Sequence, residues 1–233
     1  MDMSQVSVAT MTWVRTPKEE TLLRQTLTSL ADCGLPVAVA DSGTSRNFLQ
    51  FLERLPQFNV TVPDDTGLVA QIKASVRTAA VHGARFILYT EPDKQSFFEW
   101  RLADFVEAAR DHPDAGIILA SRSSESLQTF PPMQRYTEGV INHLCGEIIG
   151  VECDYSYGPF LLNSTLLPFI EAMEPTLGWG WRHFIFRTAH RQGHGVVPVI
   201  GDYPCPDDQR TEDTDERAHR IRQLSENVVG LIR

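Results

Sequence analysis

The stretch that decides the fold is "DDTGLVAQIKASVRTAAVHGARFILYTEPDK", residues 64–94. Ile72, Val76 and Ala79 or Ala80 fall on one face of a helical repeat that Gly83 ends. "ARFILYT" (84–90) then reads as a buried strand, because its apolar run is short and continuous rather than alternating. The chain leaves that strand through Glu91-Pro92-Asp93, followed by Lys94. Two carboxylates around a proline are either a solvated acidic turn or an oxygen-rich seat for a divalent ion.

Working outward, the same alternation repeats. "VSVAT" (6–10), "LPVAVADSG" (35–43), "FNVTV" (58–62) and "AGIILAS" (115–121) read as strands. Helical segments lie between them. The first has Thr16 as N-cap, Pro17 at its first position and Glu19 completing a capping box, with Leu23, Leu27 and Leu30 at helical spacing. "SRNFLQFLERL" (45–55) and "SFFEWRLADFVEAARDH" (96–112) supply two more helices. Strand–helix alternation with short connections predicts an α/β fold, with a mostly parallel central sheet covered by helices. Ligands of such sheets bind outside the carboxyl ends of the strands. Those ends carry Thr10–Thr12, Asp41–Thr44, Pro63–Thr66, Glu91–Asp93 and Ser121–Arg122.

Beyond Arg122 the pattern changes. "SSESLQTFPPMQRY" (123–136) reads as a polar, mobile loop. Helices are expected over 136–151, 164–173, 182–193 and 217–232, and strands within 153–163 and over 194–201. The segment 207–216 has six acids against one arginine and reads as a mobile loop or a helix start. No linker divides the chain. We therefore expect one domain over 1–233, with a nucleotide half (1–122) and an acceptor-side half (123–233).

Composition limits the function. The 233 residues are 42% hydrophobic and 22% charged, as in a soluble globular protein. A net charge of -9 argues against a nucleic-acid partner, since phosphate neutralisation needs a basic face. No apolar stretch is long enough to span a bilayer. "MDMSQ" lacks the basic and apolar regions of a signal peptide. Cys33, Cys145, Cys153 and Cys205 form no CxxC pair and read as free thiols of a cytoplasmic protein.

Four segments in order resemble glycosyltransferases of the GT-A fold, especially the family-2-like enzymes. They are "VSVATMTWVRTPKEETLLRQTLTSL", "VAVADSGTSRNFLQFL", the 64–94 stretch, and the pair "CDYSYGPFLLN" and "LGWGWRHFIFRTAHRQGHGVVPV". Together they span roughly residues 6–200. The resemblance implies a Rossmann-like nucleotide-diphospho-sugar transferase of hexosyltransferase type. Its partners would be a UDP- or GDP-sugar donor and a small or soluble acceptor. Mg²⁺ or Mn²⁺ would stabilise the departing diphosphate as a Lewis acid. A homodimer is compatible with it.

The resemblance also distributes roles. Thr10, Thr12, Asp41, Ser42, Lys73, Glu91 and Arg122 would bind the nucleotide sugar. Asp93 would hold the metal, with Glu91, a departure from the usual Asp, as its helper. Asp154 and His183 would be catalytic, and His183 a metal ligand as the other option. Tyr155, Tyr157, Gly158, Trp179, Trp181 and Arg182 would line the sugar and acceptor pocket. Many inverting relatives have an acidic pair after a GWGW segment; here Arg182 and His183 stand there, and the stereochemistry stays open. Plainer roles remain beside these. Asp41 can cap the helix near Ser45, Lys73 can be an exposed lysine, Arg122 can sit in a structural ion pair, and the tyrosines can pack a turn. A non-catalytic nucleotide-sugar sensor is the main alternative. A nucleotidyltransferase would want a Gly-rich loop after the first strand, and a Rossmann cofactor enzyme a GxGxxG; neither is present.

Overall fold

The computed structural model describes residues 5–233, residue 208 by its backbone only. Met1–Ser4, most of the stretch weighed against a signal peptide, lie outside the described residues. Two compact units emerge: the chain up to Pro113 with Pro159–Pro175, and Asp114–Gly158 with Thr176–Arg233.

The first unit contains β1 (Val6–Thr12), α1 (Pro17–Asp32), β2 (Val37–Asp41), α2 (Arg46–Arg54), β3 (Phe58–Thr61), α3 (Leu68–Ala80), β4 (Phe86–Tyr89), α4 (Gln95–Trp100), α5 (Leu102–Ala108) and, from its second stretch, β6 (Phe160–Asn163) and α8 (Leu167–Glu171). Its strands lie in the order β3-β2-β1-β4-β6. The pairs β2–β3, β1–β2 and β1–β4 are parallel, and β4–β6 is antiparallel. β2 and β4 are buried along their whole length, which explains their unbroken apolar runs. The expected capping box opens α1: Thr16 Oγ1 accepts from Glu19 N at 3.2 Å, and Glu19 Oε2 accepts from Thr16 N at 3.2 Å. The strand order steps outward from β1 through β2 to β3, then reverses to β4. The gap between the ends of β1 and β4 is thus the switch point of this unit, the place where open α/β sheets take ligands.

The second unit contains β5 (Ile117–Arg122), α6 (Ser124–Gln128), α7 (Pro132–Ile149), α9 (Trp181–Arg191), β7 (Val196–Gly201) and α10 (Thr214–Ile232). β5 and β7 pair in parallel, from Ile117 opposite Val196 to Arg122 opposite Gly201. β5, read in the sequence with the nucleotide half, belongs to this unit.

Two expectations need correction, and one pair of alternatives is decided. The helix over 96–112 breaks at Arg101 (φ -128°) into α4 and α5 and ends in a 3₁₀ turn, Ala109–Asp111. Its apolar spacing runs through the break, so the pattern could not reveal it. The mobile loop over 123–136 is instead helical. Ser123 caps α6 by accepting from Ser126 N at 3.1 Å, and Pro132 opens α7, the position where a missing N–H costs nothing. Its polar residues are engaged: Ser126 Oγ donates to Asp202 Oδ1 at 2.7 Å, and Thr129 Oγ1 accepts from Cys205 N at 2.8 Å. Of the two readings of the acidic segment, the helix start is the one present, with its last residues opening α10. Asp213 accepts from Asp215 N and Glu216 N, both at 2.9 Å, and Glu216 reaches back to Asp213 N at 3.1 Å. Among the described residues, no helix is long and apolar enough to cross a membrane.

Candidate nucleotide and metal site

The site of the first unit grows from the carboxyl ends of β1, β2 and β4. Thr12 and Asp41 end β1 and β2 opposite one another. Thr12 Oγ1 donates to Asp41 Oδ1 at 2.6 Å, and Thr44 Oγ1 donates to the same oxygen. Asp41 Oδ2 accepts from Gly43 N at 2.9 Å and Thr44 N at 2.8 Å. Asp41 is fully buried, and these four donors satisfy its carboxylate where solvent cannot. It therefore shapes the "DSGT" turn, while Ser45, not Asp41, caps α2. Ser42 N donates to Thr12 O at 2.9 Å. Gln71, buried on α3, donates to Thr12 O at 3.0 Å and Ala40 O at 3.1 Å, and so clamps both strand ends.

Across β1, Thr10 Oγ1 donates to Thr90 O at 2.8 Å and ties β1 to the exit of β4. That exit is the Glu91-Pro92-Asp93 turn, half-buried throughout. Asp93 Oδ1 is shielded from solvent yet accepts no hydrogen bond, and the Lys94 ammonium stands 3.3 Å away. A shielded carboxylate oxygen with a lone pair to spare is costly to maintain. Carboxylate oxygens are also the donors Mg²⁺ and Mn²⁺ prefer, and these ions often take only one or two from a protein. Asp93 fits a divalent ion, with Glu91 on the same turn. The half-buried Lys73 is engaged elsewhere: its ammonium donates to Met173 O at 2.7 Å, in the unit's second stretch of chain.

The second unit places its predicted residues differently. Arg122, at the end of β5, is buried with its guanidinium on two carboxylates. Its Nε meets Asp154 Oδ2 at 2.5 Å, and one terminal nitrogen meets Asp154 Oδ1 at 3.0 Å and Glu138 Oε2 at 2.6 Å. Asp154 also accepts from Asn142 Nδ2 and Ser156 N, each at 2.9 Å. Burial alone would raise the Asp154 carboxyl, but the adjoining Arg122 charge and these hydrogen bonds outweigh it and hold it below the usual carboxylate range. The structural ion pair is the role the geometry gives Arg122, and Asp154 is its partner rather than an open base.

Tyr155 is buried, with its hydroxyl donating to Val151 O at 2.6 Å, so its ring is not offered to a sugar. Tyr157 is half-buried. It stacks on Tyr203 at 4.8 Å between ring centroids, with the Arg122 guanidinium 5.7 Å from its ring. Gly158 follows at φ 129°.

In "GWGW", Trp181, Arg182 and His183 all lie on the buried part of α9. His183 is fully buried and packs edge-on against Phe186. Burial, with the Arg182 charge beside it, lowers its imidazole to about 3. That corrects both roles expected of it, since such an imidazole is a weak base and has no open face. Among the described residues, no group of three or more His, Cys, Asp or Glu side chains could hold a metal ion. Arg182 is also buried and lies 5.7 Å over the Trp179 ring. Trp179 is half-buried, and its backbone N–H donates to Glu226 Oε2 at 2.7 Å.

No protein-family model and no curated protein matches the chain. Solved structures do. Glucosyl-3-phosphoglycerate synthase from Mycobacterium tuberculosis, in complex with Mn²⁺, UDP-glucose and phosphoglyceric acid, superposes with a TM-score of 0.64. The match has 13% identity over 97% of this chain and 79% of that one. A homolog of M. tuberculosis rv0371c from Mycobacterium sp. strain JC1 matches at TM-score 0.58 and 16% identity, over 97% of this chain and 98% of that one.

The chain has the fold of this synthase. The GT-A architecture expected from the ordered segments is present at an identity too low to carry residue roles. Several buried polar and close-packed residues that hold the two units together internally escaped the sequence. Gln71 and Ser75 sit one helical turn apart beside the apolar face of α3, a polar pair in a buried position that could have been noticed. Glu138 and Asn142 repeat that spacing on α7. Nothing local marks Glu226 or Gly230, whose partners lie some fifty residues away.

Proposed function

We propose that the chain binds a nucleotide-diphosphate sugar at the carboxyl end of the first unit's sheet and transfers the sugar to a soluble acceptor with a divalent ion. The observation that carries this reading is the position of Asp93: a carboxylate oxygen without a hydrogen bond, at the switch point between β1 and β4. The turn held by Asp41 and Gln71 offers the nucleoside a rigid edge on the other flank of β1. The bound ion would supply charge stabilisation for the leaving diphosphate. Asp93 and Glu91 would hold it. The synthase complexes contain UDP-glucose and phosphoglyceric acid, which makes UDP-sugars the first donors to try and a small phosphorylated acid the first acceptor.

The test is a thermal-shift series with UDP- and GDP-sugars, with and without Mn²⁺. Metal-dependent stabilisation by one donor, absent in Asp93→Ala, supports the reading. No shift with any donor overturns it. A second reading, nucleotide-sugar binding without transfer, is favoured by one observation: Asp154 and His183, the expected catalytic groups, are buried and unavailable as bases. Release of free nucleotide diphosphate in the presence of acceptor separates the two.

A further inference from the structure

We propose that Lys94 is an internal counter-ion that keeps a divalent metal off Asp93 until a nucleotide diphosphate arrives; this deepens the reading above and rests on it. Lys94 directly follows Asp93, and its ammonium lies 3.3 Å from Asp93 Oδ1. That oxygen accepts no hydrogen bond, so the pairing is Coulombic rather than directional. Both side chains are only partly exposed, at 22% for Lys94 and 38% for Asp93, so water screens the pair less than it would on an open surface.

A metal ion would approach the same oxygen to about 2.1 Å. It would then share the carboxylate with a like charge a few ångströms away, and the two cations repel. Without nucleotide, the resident ammonium has the advantage because it is tethered to the next residue. A diphosphate changes the balance. Its oxygens would serve as further ligands to the ion and would give the Lys94 ammonium, on its flexible four-carbon stem, another anion to face. Metal and nucleotide therefore bind as a coupled pair. The coupling is reciprocal: the factor by which UDP tightens Mn²⁺ is the factor by which Mn²⁺ tightens UDP.

The experiment measures Mn²⁺ binding by the loss of the free-ion electron paramagnetic resonance signal, with and without UDP, in the native chain, Lys94→Met, Lys94→Arg and Lys94→Met/Asp93→Ala. Without UDP, Lys94→Met should bind Mn²⁺ about tenfold more tightly than the native chain, within the range usual for coupled ligands. Lys94→Arg should stay near native, and the double variant should lose the gain. With UDP present, the native chain and Lys94→Met should converge. An unchanged or weaker affinity in Lys94→Met without UDP overturns the proposal, as does a gain that survives the loss of Asp93. If Lys94→Met gains Mn²⁺ while neither UDP, GDP nor any of their sugars binds to any of the proteins, the counter-ion role of Lys94 toward the metal stands and the glycosyltransferase reading falls.

Discussion

Gly180 and Gly230 meet backbone to backbone, and neither has room for a methyl group. A Cβ on Gly230 would overlap the Gly180 carbonyl, and one on Gly180 would overlap the carbonyl of Glu226. Gly178 adds a backbone at φ 51°, and a side chain there would strike the Glu226 carboxylate. The glycines of "GWGW" thus serve the seating of α10 within the second unit. Gly180→Ala and Gly230→Ala should each destabilise the chain by about 2 kcal/mol or more, since overlap with backbone cannot be relieved by a rotamer change. Urea unfolding followed by tryptophan fluorescence measures the loss. A value within 0.5 kcal/mol of native would mean that the two backbones stand further apart, a margin taken from ordinary surface substitutions at roughly ±0.5.

Arg122 anchors the second unit's polar core. Arg122→Met leaves Asp154 and Glu138 buried without their cation and should cost about 3–5 kcal/mol. Because Asp154 titrates below its ordinary range when folded, its contribution is present above the unfolded carboxyl value of about 4 and is lost as pH falls through the lower folded value. Unfolding midpoints from pH 7 down to pH 3 should fall in the native chain. Asp154→Asn should flatten part of that fall, and an identical pH profile would remove Asp154 from it.

His183 gives the opposite chemistry with the same sign. Its folded imidazole resists protonation down to about pH 3, whereas the unfolded one takes a proton near 6.5. The neutral form is common to both states at pH 7, so stability is full there. Below about pH 6 it should fall by up to roughly 1.4 kcal/mol per unit, as the unfolded chain binds the extra proton. His183→Leu should lose this component. If the variant folds and a donor has been found, turnover near the native rate would agree with His183 being packing rather than a base. A thousandfold drop would restore it as a catalytic group, since general bases contribute about 10²–10⁴.

Asp41→Ala strips the acceptor from Thr12, Gly43 and Thr44 together. We expect a loss of about 3 kcal/mol in stability, given roughly 1.5–3 for a single hydrogen bond to a charged group and incomplete additivity. Nucleotide affinity should fall alongside it. Gln71→Leu is the gentler probe, because it frees the strand-end carbonyls without touching the turn's own bonds. Isothermal titration with UDP and Mn²⁺ reads both.

The sequence carried the repeating part of this fold well, because periodicity and caps are local. Thr16 and Glu19, the buried runs of β2 and β4, and Gly83 after α3 all say what they do within a few residues. It carried the site less evenly. Asp93 and Asp41 stood out by their place at strand ends, but Asp41's engagement with Thr12 and Gln71 depends on strands meeting side by side. Lys73, Arg122 and His183 looked functional because charge near a motif suggests a ligand. Each is instead taken up by a partner or by burial that only tertiary packing creates. The prolines at 131 and 132 misled for a related reason: a loop former and a helix opener are the same residue in one dimension.

The antiparallel strand β6 reaches β4 from a second stretch of chain, Pro159–Pro175, with Asp114–Gly158 in between. On a ribosome, the first unit cannot close its sheet until that later stretch has emerged. Until then the buried residues of β4, Phe86 to Tyr89, have one bare edge, a template for pairing with another nascent chain. A fragment cut after Arg122 would be born with the same bare edge and should aggregate. The first unit can be produced alone only if β6 is supplied with it, for example by a shortcut linking Pro113 to Pro159.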